Sequence, residues 1–304
     1  MNAPHDHHFI PAFYLGQWAL RDNELIEYTI KHHKLIPKWV GPKATGVERD
    51  LYAFPELPPN IAQHLESQFF NYADNVASQA LTLHLTGDTA GWNNERLSGW
   101  SRFVIGIHLR HPDVIPELRA GARTIWDQSG PAYQAHYEQV RTPQHPPTMD
   151  EWINTLDPLM RSKIELNCIQ KILDNDIIGA HLNAMKWGVV SVSNSSFRFL
   201  TSDRPVEISQ LDKPAGFVSI PISPTKLFVA VNQEQSLENL RQVPPREIVK
   251  HVNTFIVSRA RKFVWADDET QTAFIRDNMS KAMEATPFFP NLTNYDPPDG
   301  AVQT

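Results

Sequence analysis

From about Ile61 to Lys186 the apolar residues recur every three or four places, and after Trp187 they come in short runs of β-branched and aromatic residues. That switch of period constrains the fold more than any other feature. Ile61, Leu65, Phe69, Tyr72, Val76, Ala80 and Leu83 form one stripe, which predicts a core-facing helix. Asn60 and Gln63 supply a capping box at its start, and Gly87 and Gly91 mark its end. A second helix is predicted over 94–110, ending before Pro112, and a third from about 113 into AYQAHYEQV, interrupted at Gly130-Pro131. TPQHPPT at 142–148 is the clearest break in the chain. Beyond it Thr148 and Glu151 form another capping box, and Asp157-Pro158 starts a long helix to about Lys186.

WGVVSV, FRFLT, GFVSI and KLFVAV then read as strands of one antiparallel or mixed sheet. REIVKHVNTFIVSRARKFVWA begins as a helix and ends as a strand. Ahead of the helices, GQWAL and ELIEYTI flank the turn RDN at 21–23, a β-hairpin with Asn23 in the left-handed conformation. The proline-rich stretch 34–60 is an ordered excursion, because Trp39, Leu51, Tyr52 and Phe54 are too apolar to be left in water. The expected class is therefore α+β: an N-terminal β-hairpin, several long helices, then a mostly antiparallel sheet from the C-terminal half. A single domain, 1–304, is expected, with a subdivision near 142–148 as the alternative and a loose tail at 286–304.

At 41% hydrophobic and 20% charged residues, the chain has the make-up of a globular protein rather than a disordered one. Its net charge of −6 gives no strong nucleic-acid signal, since phosphate neutralisation needs Lys and Arg in excess. The basic cluster Arg259, Arg261 and Lys262 reads first as a solvated helix end. The lone Cys168 excludes an intramolecular disulfide and sits in an apolar helical setting that suits a buried thiol. No apolar run approaches the ~20 residues that span a bilayer, and MNAPHDHHF lacks the pattern of a secretory leader. No membrane association and a cytoplasmic location are the default expectations.

The P-loop, the nucleophile elbow, HExxH, CxxC and GxGxxG are all absent. His108 and His111 have a spacing that would chelate a metal, but imidazoles near a helix end are favoured there anyway. Asp174 and Asp176 face different sides of a helix and read as solvent charges.

Two stretches keep a chemical reading. In HHFIPAFYL, at 7–15, Pro11 holds Ile10 extended, so His7 and His8 point opposite ways and only one faces the interior. The competing reading is a satisfied terminal histidine. In SSFRFLTSDRPV, Phe197, Phe199 and Thr201 share one strand face and Arg198, Leu200 and Ser202 the other. Asp203 then lies where the strand ends, with Pro205 holding Arg204 extended. It is either an Asx-turn carboxylate or one presented for acid/base or metal chemistry.

HHFIPAFYL, FLTSDRPV and the later SIPISP together resemble a bacterial family, domain of unknown function 4238. DLYAF, HLESQF, IHLRHP and VNTFIVSRA extend the likeness over most of the chain. The family carries no established activity. The resemblance implies that His8, Glu66, Arg110, Asp203 and Arg204 gather in one place. Where a second glutamate is expected about two turns after Glu66, this chain has Asp74 and Asn75. One reading is a hydrolase of phosphoester or similar bonds. There His8 is a general base or metal ligand, Asp203 and Glu66 are ligands or acid/base partners, and Arg110 or Arg204 stabilises negative charge, with a divalent metal as the candidate cofactor. The other is a non-catalytic module, in which the same residues form a structural network or Arg110 and Arg204 grip a small anionic ligand or partner.

Overall fold

The computed structural model describes residues 5–62 and 64–281. The chain opens with β1 (Asp6–His8), which pairs antiparallel with β4 (Val47–Arg49), His8 standing opposite Val47. Pro11 then starts the one-turn helix α1 (Ala12–Leu15). Phe9, Ile10, Tyr14, Leu15 and Trp18 are all buried. The Tyr14 hydroxyl donates to the Pro221 carbonyl at 2.8 Å and shares a bond with the Thr201 hydroxyl, and the Trp18 indole donates to the Phe199 carbonyl at 2.9 Å. The first residues are thereby tied to the last third of the chain.

The hairpin consists of β2 (Leu25–Lys31) and β3 (Lys34–Val40), one element later than the residues suggest. RDN does turn, with Asp22 and Asn23 at φ 49° and 58°, but it closes only the Arg21–Glu24 bridge. GQWAL is no strand arm, because Trp18 leads it into the core. The paired arms instead meet at His32-His33, both left-handed, as the type I′ form of a two-residue hairpin turn requires. Pro37 is tolerated because β3 is an edge strand.

α2 (Pro59–Ala62) leads to a π-helical turn (Leu65–Phe70) and α3 (Asn71–Thr86). Gln63 of the expected capping box lies outside the described residues, and Asn60 stands within α2. The π turn takes up one extra residue and moves the buried positions next to it from Phe69 and Tyr72 to Phe70 and Ala73. After Leu65 the buried face takes in Phe70, Ala73, Val76, Ala77, Ala80, Leu81 and His84, so Val76 and Ala80 keep their predicted places while Tyr72 is left 58% exposed instead of in the core. The Cα of Gly99 in α4 (Asn94–Leu109) faces Val76 so closely that an added Cβ would lie 2.4 Å from its Cγ1.

α5 (Val114–Val140) runs straight through Gly130 and Pro131, contrary to the predicted interruption. Pro131 and Asp127 are exposed there, so water can serve the carbonyl that the missing N–H leaves free. α6 (Met149–Leu156) has both halves of the Thr148–Glu151 capping box. The single long helix predicted after Asp157 is two, α7 (Met160–Leu173) and α8 (Asp176–Ala184). Asn175 divides them by accepting from the Ile178 N–H at 3.0 Å, and Asp174, rather than being a free solvent charge, pairs with Arg102 at 2.5 Å.

The C-terminal half forms β5 (Lys186–Ser191), β6 (Thr201–Ser202), β7 (Glu207–Ile208), β8 (Phe217–Ser223) and β9 (Lys226–Val231). α9 (Glu234–Gln242), α10 (Pro245–Arg259), β10 (Val264–Ala266) and α11 (Thr272–Asn278) follow. These strands make two antiparallel arrangements rather than one: β5-β9-β8-β7, and β3-β2-β10-β6, which includes the N-terminal hairpin. FRFLT contributes only its end to a ladder. Phe199 bonds the Pro224 carbonyl and Leu200 bonds the Asn253 side chain, and their side chains pack into different cores. The order of elements is nonetheless the expected α+β order. The tail at 286–304 lies outside the described residues.

Candidate functional site

β1 alternates as an extended segment must, and its two histidines have different surroundings. His7 is fully buried, stacks on Tyr52 at 5.3 Å, and accepts the Tyr52 N–H on Nδ1 at 3.0 Å. His8 is half-buried, and its Nε2 is buried without a hydrogen-bond partner. Burial lowers the His8 pKa; a backbone hydrogen bond to Lys43 and the charge of Asp74 oppose that, while Arg110 adds to it.

Arg110 caps the C-terminus of α4 and is almost wholly buried. Its Nη1 and Nη2 donate to the two oxygens of Asp74, at 3.0 and 2.8 Å, in a bidentate pair. Its guanidinium lies 4.7 Å above the Phe70 ring, and its carbonyl accepts the Tyr52 hydroxyl at 2.9 Å. Its Nε has no partner. Glu66, in the π turn, is 8% exposed, and its Oε2 is buried without a hydrogen bond. Burial pushes its carboxyl up to about 7; Arg110 holds the rise back and Asp74 adds to it. Three of the five residues singled out in the sequence thus share one electrostatic centre, and Asp74 completes it.

Asp203 and Arg204 have other partners. The Asp203 carboxylate is buried and accepts three backbone N–H bonds, from Arg261, Lys262 and Phe263, at 2.9, 2.6 and 3.0 Å. That ties the end of β6 to the turn between α10 and β10. Burial raises its pKa, and the three N–H bonds and Arg204 pull it down. Arg204 and Arg261 both donate to one oxygen of Asp113, at 2.9 and 2.8 Å. His111 accepts the Asp113 N–H on Nδ1 at 3.1 Å; burial and Arg204 take its pKa to about 4. Phe9 connects the two centres, since it follows His8 and packs on His111 and Phe263.

Among the described residues no three His, Cys, Asp or Glu side chains are grouped to hold a metal ion. Sequence reasoning did not single out Tyr52, His7 or Asp113 as site residues. Asp113 follows IHLRHP directly, and Tyr52 stands inside DLYAF.

Fold and site together define an α+β protein in which an N-terminal strand brings a histidine into the field of a half-buried Asp and its buried Arg partner, with a buried glutamate acting on the same arginine. The chain belongs to the family described as Protein of unknown function (DUF4238), whose model matches residues 6–270. No curated protein and no solved structure matches it. Among the described residues no helix is long and apolar enough to cross a membrane.

Proposed function

We propose that His8, Glu66 and Arg110 form the proton-transfer site of a hydrolase. One observation carries this reading: His8 Nε2, Glu66 Oε2 and Arg110 Nε are buried, have no partner, and belong to residues around one ion pair. Each such atom costs about 1–3 kcal/mol when nothing binds it, so a network that served stability alone would have engaged them.

The protonation states suit the roles. The His8 hydrogen bond to the Lys43 backbone uses the ring N–H, so Nε2 keeps a lone pair and can take a proton from water. Glu66, near pH 7, carries a proton about half the time and can deliver it to a leaving group. The Arg110 Nε–H remains for an oxygen that gains negative charge. The π turn that carries Glu66 is a local irregularity of the kind found often at functional sites.

Asp74 opposes the charge of Arg110, His8 is neutral, and Glu66 is neutral when protonated. That balance favours an uncharged bond, such as a carboxylic ester, over a phosphoester dianion. Asp203 and Arg204 act as positioning residues for the turns around the site. The test is turnover of chromogenic carboxylic esters and phosphoesters by the wild type, Glu66→Gln and His8→Gln, with melting temperatures measured alongside. Expected is carboxylic-ester cleavage with a pH–rate limb near 7, abolished in both variants while folding persists. A structural reading is favoured by the bidentate Arg110–Asp74 pair and the Tyr52 bond behind it. It prevails if no ester is cleaved and His8→Gln does nothing but lower the melting temperature.

A further inference from the structure

A cavity of about 440 Å³ opens between the end of α3, the loop after it, and β5. Trp92, Trp187 and His84 line it. The indoles of Trp92 and Trp187 meet at 77° with centroids 5.8 Å apart, so they form two walls of a corner. The His84 ring lies 4.7 Å from Trp92 and 5.9 Å from Trp187, and is backed by Trp100 and Phe228 at 4.7 and 4.8 Å. Two features set this corner apart from an ordinary aromatic core. His84 is only 8% exposed, yet its Nε2 has no hydrogen bond. Asp88 also lines the cavity, and its Oδ1 is fixed by the N–H groups of Ala90 and Gly91 at 2.8 and 3.1 Å.

We propose that this cavity binds an alkylated ammonium ion that carries a hydroxyl group. The faces of tryptophan rings attract such cations more strongly than those of other side chains. Asp88 supplies a fixed counter-charge at the same cavity. The imidazole adds no opposing charge at neutral pH, because burial takes its pKa down to about 3. A ligand hydroxyl satisfies Nε2 whichever ring nitrogen holds the proton. The site is separate from the His8, Glu66 and Arg110 centre and stands without it.

Choline and its uncharged carbon isostere, 3,3-dimethylbutan-1-ol, test the proposal, with binding read by tryptophan fluorescence and titration calorimetry. Both present the same hydroxyl and the same shape, and only choline is charged. Expected is choline binding at least about fivefold tighter than the alcohol. Trp92→Phe reduces that preference and Trp92→Leu removes it. Asp88→Asn keeps the oxygen that accepts from Ala90 and Gly91, and weakens choline while leaving the alcohol unchanged. Equal affinity for the two probes, or no binding of choline at millimolar concentration, overturns the proposal. Should Trp92→Leu fail to fold, the wild-type comparison and Asp88→Asn decide it.

Discussion

Replacing Glu66 by Gln should stabilise the protein, and by an amount that depends on pH. The folded chain holds the Glu66 carboxyl at about 7, against 4.5 for the free side chain, because burial disfavours its ionised form. Below pH 4.5 the group is protonated in both states and contributes nothing. Between 4.5 and 7 the unfolded chain ionises and the folded one does not, so stability falls as pH rises. Above 7 the penalty is complete. The interval spans about 2.5 pH units at about 1.4 kcal/mol each, or about 3.5 kcal/mol in all, of which nearly all falls between pH 4 and pH 8. Glu66 is too buried for solvent to screen much of that. Glutamine cannot ionise, so the variant escapes the penalty and keeps the shape. Urea unfolding of both proteins from pH 4 to pH 8 reads the difference directly, and the titration of every other group cancels in it. The stability of Glu66→Gln minus that of the wild type should rise by about 3 kcal/mol across the range, with its midpoint between 4.5 and 7. A difference independent of pH would refute the argument, since Glu66 would then titrate as if in water.

Asp203→Ala takes the acceptor from three backbone N–H groups, that of Phe263 buried and the other two part-buried, and should lower stability by about 2–4 kcal/mol in urea unfolding, whereas Asp203→Asn, which keeps one acceptor, should lose less. Acid should destabilise the fold through its buried imidazoles. His84 and His108 titrate at about 3 and His111 at about 4 when folded, depressed mainly by burial. Their contribution is complete above about 6.5 and is lost as pH falls toward 4, so melting temperature should drop over that window and His84→Leu should flatten the slope.

The parts of the fold that were legible in the sequence are those fixed by local chemistry. The Thr148–Glu151 capping box, the stop of α4 before Pro112 and the left-handed Asn23 all follow from a few adjacent residues. The misplaced features depend on distant partners. GQWAL has the composition of a strand, but Trp18 finds its place in the core through a bond to Phe199. FRFLT reads as one strand, yet Phe199 and Leu200 pack into different cores, so the segment becomes a connector between sheets. Gly130-Pro131 looks like a break, and solvent removes the reason for one.

The candidate site depends on a feature that periodicity alone conceals. Glu66 and Asp74 are eight residues apart, and on a regular α-helix that separation leaves two side chains about 80° out of line. The departure at 74 is one of length, an aspartate where a glutamate is expected, and on a regular helix a partner two turns after Glu66 would stand nearer position 73. The π turn over Leu65–Phe70 takes up the extra residue and brings position 74 back toward the face of Glu66. Both carboxyls then act on Arg110, Asp74 as its bidentate partner and Glu66 as a nearby charge. The same shift turns Tyr72 outward and puts Phe70 beneath the guanidinium. A shorter acid at 74 thus fits a helix whose register has slipped by one residue. It can close on the arginine while Glu66 keeps a buried oxygen free, and the acid/base reading of this centre rests on that division of labour between the two carboxyls.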